Sequence, residues 1–290
     1  MELLIVFGRV LFSVMANVFQ KKLGNQGYHS LFIVMASYLV LSVICLPLLW
    51  FVDTSSLNAN FWINILAAAL LDMVGTLFLV LSLSKTDLSI FGPLNAYKVV
   101  ISMLLAFIFI DETPNIQGFS GVIIIILGSV FLLPKNTHTP SNPLFTLLHD
   151  RGVRYRFLSI LLFSIGTLPL KNAVVAGDAL STTVFWSLFG LPLAVILHTV
   201  FVQNTSQKHK TEFKQNRLQF IYLACLIFLM QYTTMIVFSH LLIAYSLALF
   251  QLSMVLHVFL GYRIFNEQDI TRRLLACLVM VTGCLLVLNA

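Results

Sequence analysis

Apolar stretches about as long as a bilayer-crossing helix follow one another along this chain, separated by short polar breaks. A helix needs about 20 apolar residues to cross about 30 Å of hydrocarbon, and ten stretches approach that length. The pattern predicts helices over Leu3–Lys22, Ser30–Val52, Phe61–Leu83, Ser89–Ile110 and Ile116–Leu133. Five more follow over Arg156–Val174, Leu180–Val202, Leu218–Ser239, Ala244–Phe265 and Thr271–Leu288. Between the two sets runs a polar segment, 134–155, with Pro134, Pro140, Pro143 and the cluster His149-Asp150-Arg151-Gly152. It is the one connection long enough to act as a linker. The expected division is therefore 1–133, a linker at 134–155, and 156–290.

The two sets resemble each other. Leu88 to Leu133 is a pair of apolar runs joined at Asp111-Glu112-Thr113-Pro114, and Ile243 to Leu288 is a pair joined at Asn266-Glu267-Gln268-Asp269. One offset lays Glu112 on Glu267 and Gly128 on Gly283. Phe12-Ser13-Val14 likewise echoes Phe163-Ser164-Ile165. An odd number of crossings per unit makes the second copy enter the membrane from the opposite side. The fold expected is an all-α integral membrane protein, ten transmembrane helices arranged as two inverted five-helix repeats. Such duplication is typical of transporters.

Composition strengthens this reading. Of 290 residues, 59% are hydrophobic and 10% charged, against about 25% charged in soluble domains. The net charge of +6 does not point to nucleic acid, because the basic residues flank apolar runs. Lys21, Lys22, Lys85, Lys135, Arg151, Arg154, Arg156, Lys208, Lys210, Lys214, Arg217, Arg263, Arg272 and Arg273 all fall on one predicted face of the membrane. The other face carries Asp53, Asp111, Glu112 and Asp178. By the positive-inside rule the basic face is cytoplasmic, which puts both termini outside. The first apolar run, holding Arg9 and Asn17, reads as a retained span and not a cleaved signal. Cys45, Cys225, Cys277 and Cys284 lie inside apolar runs without metal-ligand spacing, as small buried side chains do.

The segments GPLNAYK…IDETPNIQGFSGVIIIILGS and NEQDITRRLLACLVMVTGCLLVL carry a likeness to a known family. The chain resembles the drug/metabolite transporter superfamily, and within it the EamA-like ten-helix transporters, over nearly its whole length. The resemblance implies a pseudo-twofold bundle with a central substrate cavity and alternating access, in a bacterial inner membrane. It leaves the substrate open, because such carriers move amino acids, nucleotide sugars, choline-like cations and drugs. Members often keep both termini in the cytoplasm, whereas this loop charge argues for the reverse.

Charged side chains deep in a span need a partner, water or a task. Asp72 lies midway along the third span and Lys98 midway along the fourth. They either pair across neighbouring helices or line a wet cavity, with Lys98 meeting an anionic substrate and Asp72 carrying a proton. Arg9 either snorkels to the outer interface, the favoured reading, or turns inward as a bidentate clamp. Asn17 and Gln20 share one helix face, as do Asn95 and Lys98, with Tyr97 beside them. Gln231 and Gln251 are the deep polar residues of the eighth and ninth spans. Substrate-binding candidates are thus Arg9, Asn17, Asp72, Asn95, Tyr97, Lys98, Gln231 and Gln251. Counted with Lys171, the interior is net cationic.

Glu112 and Glu267 sit at turns, where a carboxylate caps the following helix. His198, His240 and His257 read as packing residues, Gly92-Pro93 as a helix start, and Pro169 and Pro192 as tolerated membrane prolines. The Gly118, Gly121, Gly128 series reads as close helix packing. No nucleotide-binding loop, catalytic constellation or metal-ligand set appears, so no cofactor and no enzymatic activity are expected. The expected function is secondary transport of a small polar solute, an amino acid or another anion or zwitterion. Its direction is expected to be export, by proton-coupled or facilitative movement, in a monomer or homodimer. The alternatives are a cation or drug exporter, a membrane enzyme acting on lipid-linked sugars through Asp111 and Glu112, and a structural protein with a dry centre.

Overall fold

The structure, a computed structural model, describes residues 2–110, 115–132, 148–202, 213–241 and 243–288. Every regular element among them is helical: α1 (Glu2–Asn25), α2 (Ser30–Cys45), α3 (Ala59–Leu83), α4 (Leu88–Phe91), α5 (Tyr97–Ile110), α6 (Ile116–Val130), α7 (Arg151–Ala176), α8 (Ala179–Phe201), α9 (Arg217–His240), α10 (Ile243–Phe250), α11 (Ser253–Phe265) and α12 (Ile270–Leu288). Nine helical segments among the described residues are long and apolar enough to cross a membrane, and Ile116–Val130 is a shorter apolar helix. The chain is an all-α integral membrane protein.

Asx caps set several of the starts. Asn58 accepts the Phe61 N–H, Asn115 the Gly118 N–H, Asp150 the Val153 N–H, and Asp178 the N–H groups of Leu180 and Ser181. Each fills part of the unpaired donor set at a helix N-terminus. Asp150 begins α7 at Arg151, so the linker expected to reach residue 155 ends sooner, and the helix carries a charged first turn. Its earlier part, like Asp111, Glu112, Lys135, Lys208 and Lys210, lies outside the described residues. The second span stops being α-helical at Cys45 and runs on as a 3-10 helix from Pro47 to Phe51.

Two spans are broken, and in corresponding places. The fourth is α4, a 3-10 turn at Pro93–Ala96, then α5; the ninth is α10, a turn at Gln251-Leu252, then α11. The offset that lays Gly128 on Gly283 also lays Leu88, the start of α4, on Ile243, the start of α10. Gly92-Pro93 is thus a break within a span rather than the start of one: Pro93 lacks the N–H that would continue the ladder. A Cβ on Gly92 would stand 2.3 Å from His257 Cβ, so α4 and α11 meet there without side-chain clearance.

Helix pairing repeats the same exchange. α3 packs on α7 and its counterpart α9 on α1; α3 packs on α8 and α9 on α2; α5 packs on α7 while α10 and α11 pack on α1. The pairs α2–α8 and α6–α12 map onto themselves. In the α6–α12 pair a Cβ on Gly121 would lie 2.7 Å from the Gly283 carbonyl oxygen, and one on Gly283 2.8 Å from that of Gly121. Such backbone contact is how helices associate in lipid, where apolar burial drives nothing. The larger apolar core joins α1, α2, α3, α7, α8 and α9, and a second one joins α5, α6, α11 and α12. Leu66, Leu70, Phe119, Ile123, Leu127, Leu278 and Leu285 face outward, as a surface solvated by lipid requires.

Candidate functional site

Between the two sets of helices lies a central cavity of about 160 Å³. Its walls come from α1, α2, α3, the broken fourth and ninth spans, α7, α8 and α9, while α6 and α12 stand outside it. On α1 the lining runs from Arg9 to Gln20, about 16 Å at the helical rise, so the space reaches well into the bilayer interior.

The lining is more polar than lipid-buried helices need for packing. Arg9 turns inward: its Nε donates to Thr234 Oγ1 at 3.2 Å, and its guanidinium lies 3.7 Å from the centre of the Phe250 ring. The snorkelling expected of it does not occur, because Phe250 supplies a cation–π face inside the bundle. Asn17 Nδ2 lies 2.9 Å from His257 Nε2, and His257 Nδ1 lies 2.7 Å from the Ser253 carbonyl oxygen. A carbonyl only accepts, so Nδ1 carries the hydrogen and Nε2 accepts from Asn17. One neutral tautomer satisfies both contacts. His257 is therefore a hydrogen-bonded packing residue, but one on the cavity wall.

Asp72 and Lys98 both line the cavity and form no direct ion pair. Asp72 accepts the Trp186 Nε1–H at 3.0 Å, and its Oδ1 would lie 2.8 Å from a Cβ on Gly166. The carboxylate is thus held back against α7 and α8. Lys98 stands within electrostatic reach of Asp72, Arg9 and Arg156. Asn95 Nδ2 donates to Gln251 Oε1 at 3.3 Å, Gln251 Nε2 donates to the Leu247 carbonyl at 3.1 Å, and Gln231 lines the opposite wall on α9. Buried atoms of this lining lack hydrogen-bond partners among the described residues, Gln20 Oε1, Gln231 Nε2 and Arg156 Nε being examples. Buried polar atoms are nearly always paired, so these mark groups that water or a solute would serve.

Seven of the eight predicted site residues meet at this cavity. Tyr97 does not: its hydroxyl donates to Ser129 Oγ on α6 at 2.9 Å and its ring packs edge-on against Phe157. Tyr97 and Lys98, adjacent at the start of a helix, point about 100° apart, so only one faces inward. Lys171 is also absent. Its ammonium donates to the Phe238 and Leu241 carbonyls, closing the C-terminal end of α9 as lysines there do.

Arg156, assigned by its sequence position to the cytoplasmic face, takes the place expected of Lys171. It is buried, its Nη2 donates to Asn95 Oδ1 at 3.0 Å, and its guanidinium lies 3.9 Å from the centre of the Phe91 ring. Asp150 was the available signal. As an Asx cap it starts the helix at 151, which puts Arg156 more than a turn inside.

A second buried charge cluster closes the end of the bundle where α4 begins. Glu267 accepts the Leu88 N–H at 2.7 Å and the Ser89 N–H at 2.8 Å, together with the Ser89 hydroxyl. Lys21 Nζ lies 3.5 Å from Glu267 Oε1 and donates to the Thr86 carbonyl at 2.6 Å. Arg273 lies 3.6 Å from Glu267 Oε2, bonds Ser89, and reaches Asp87 Oδ2 at 2.8 Å. Glu267 does cap a helix, but not the next one: it caps α4, far away in sequence. A Cβ on Gly261 would lie 2.4 Å from its Oε2, so α11 must be bare at that point. Lys21 and Arg273, expected among the loop charges, are buried here.

Fold and cavity together define a polytopic membrane protein with a polar chamber at its centre. Residues 1–133 match the family model of the EamA-like transporter family. That match, over the first five of the predicted spans, supports a membrane transporter of the drug/metabolite superfamily. Among solved structures 28 chains match. One, named only as a crystal structure of a protein, shares 12% identity with a TM-score of 0.65, over 98% of this chain and 95% of its own. That likeness shows the fold alone. No curated protein matches.

Proposed function

We propose that this protein is a secondary carrier of a small anionic or zwitterionic metabolite, working by alternating access between 1–133 and 156–290. Its substrate sits among Arg9, Lys98, Arg156, Asn95 and Gln251. One observation carries the reading: a lining with three cationic side chains and, among the described residues, one carboxylate, Asp72, in a cavity at the centre of the bundle. In a low-dielectric interior, an unpaired cation costs several kcal/mol, and a dry structural bundle has no use for the expense. A cation or drug exporter would need the opposite balance of charge. The enzyme reading rested on Asp111 and Glu112, which lie outside the described residues. Among those described, no group of three or more His, Cys, Asp or Glu is placed to hold a metal.

The broken spans support a moving part. Both breaks adjoin the cavity, which Asn95, Gln251 and Ser253 line, an arrangement carriers use where a chain must reorient around a fixed site. Among the described residues Asp72 is the acidic group that lines that space, which makes proton coupling part of the proposal.

The test is flux. A screen of metabolites by thermal shift identifies a solute that stabilises the purified protein, and its labelled form is followed into proteoliposomes. Lys98→Gln is expected to abolish uptake and leave the detergent-purified protein monodisperse with an unchanged Tm. Flux equal to the wild type in that variant would remove Lys98 from the site.

A further inference from the structure

Resting on the carrier reading, we infer that the substrate is a dianion: the cavity takes a solute with two negative charges, a phosphate monoester or a dicarboxylate. Monoanions and neutral zwitterions do not match it. The inference comes from which cations are already neutralised within the protein.

Among the described residues, Lys21 and Arg273 have carboxylates at salt-bridge distance. The three cations of the cavity have none. Arg9 has a hydroxyl, Arg156 an amide oxygen, and each guanidinium lies over an aromatic ring, Phe250 and Phe91. An aromatic face holds a guanidinium in place without consuming its in-plane N–H donors, which stay free for an anion. Arg156 Nε is buried and has no hydrogen-bond partner among the described residues. His257 is fixed as a neutral tautomer by Asn17 and Ser253, so it adds no charge.

The one carboxylate among the described lining residues cancels only part of this excess. Asp72, held by Trp186 and packed against Gly166, acts on Lys98 ahead of Arg9 and Arg156, and so offsets one of the three positive charges. With Arg9, Lys98 and Arg156 against Asp72, the lining carries two uncompensated positive charges. Occluding it around a neutral or zwitterionic solute buries that excess, whereas a dianion removes it. Two planar guanidinium forks and a point-charge ammonium also fit two anionic centres, or one with several oxygens, as phosphate has.

The experiment reads thermal stabilisation of the purified protein by inorganic phosphate (held above its second pKa), succinate, acetate, glycine and choline, each at matched ionic strength. Phosphate or succinate is expected to raise Tm at concentrations on the order of tenfold below those at which acetate does. Neither glycine nor choline should raise it at all. Stronger stabilisation by phosphate than by succinate assigns a phosphate monoester, and the reverse assigns a dicarboxylate.

Lys98→Gln and Arg156→Gln should each weaken the response on the order of tenfold or more. Lys98→Arg, which keeps the charge, retains it and guards against a folding defect. The inference is overturned if neither dianion stabilises the protein, or if acetate or glycine does so as well as they do. It is overturned equally if the dianion response survives unchanged in both glutamine variants. A glycine response that depends on Lys98 would sink the dianion assignment and leave the carrier standing. Wild-type flux in Lys98→Gln would sink both.

Discussion

The protein buries two sets of cations and treats them in opposite ways. At the end of the bundle, Lys21 and Arg273 converge on Glu267, with Asp87 and the N-terminus of α4 completing the cluster. In the central cavity, Lys98, Arg156 and Arg9 face space, backed by amide, hydroxyl and aromatic groups with no carboxylate at contact. The first arrangement spends its charge on holding three distant stretches of chain together. The second keeps its charge available. Burial alone therefore does not separate a structural cation from a functional one; what it is paired with does.

The sharpest way to break this comparison is to remove one residue from each set. Glu267→Ala leaves Lys21 and Arg273 without their shared carboxylate and uncaps α4. Removing one partner of a buried pair costs about 3–5 kcal/mol, so the variant is expected to lose most of its folded yield or show a strongly lowered Tm in detergent. Lys98→Gln breaks no hydrogen bond or contact ion pair seen among the described residues and also relieves the repulsion from Arg9 and Arg156, so its Tm should stay at the wild-type value while flux disappears. Equal destabilisation by the two substitutions would erase the distinction.

Trp186→Phe sharpens the comparison from the acidic side. It removes the indole N–H that donates to the Asp72 carboxylate and preserves the ring's packing against Tyr38, whose centroid lies 5.5 Å away. A hydrogen bond to a charged group contributes about 1.5–3 kcal/mol, and a Tm drop of that order is expected. The freed carboxylate would then swing toward Lys98 and occupy the anion's place, so dianion stabilisation should fall together with Tm. A Tm drop with undiminished dianion binding would mean that Asp72 stays on its own side without help.

Much of this was legible in the chain. Ten apolar runs and the repeated segment around Gly128 and Gly283 specify the helices and their pairing, because period and length are local properties. Seven cavity residues were visible for a related reason: a polar side chain in mid-span is conspicuous against lipid. Residues near span ends were not. Lys21, Arg156 and Arg273 read as positive-inside signals, since a basic residue at the edge of an apolar run is the same string whether it faces water or turns in. What turns them in is supplied from elsewhere in the chain: Glu267 for Lys21, and Asn95 with Phe91 for Arg156. Glu267 shows the same limit. A capping role was readable from its turn, but the helix it caps, α4, is fixed only by tertiary packing.

The smallest effect is expected at Tyr97, and it checks whether the cavity's boundary is drawn correctly. Tyr97 precedes Lys98 and would be grouped with it on sequence proximity, yet its hydroxyl bonds Ser129 on α6, one of the two long helices outside the lining. Ser129 also donates to the Ile126 carbonyl at 2.7 Å, so it keeps a partner when the tyrosine hydroxyl is gone. Tyr97→Phe therefore deletes one helix–helix hydrogen bond, about 0.6 kcal/mol in a membrane, and leaves the ring against Phe157. Tm should move barely beyond measurement error, and both flux and dianion stabilisation should match the wild type. A loss of transport without a loss of Tm would place the Tyr97 hydroxyl at the solute after all, in a conformation where the half-helix starting at Tyr97 has rotated. The lining that separates paired from unpaired cations would then belong to one state of the carrier only.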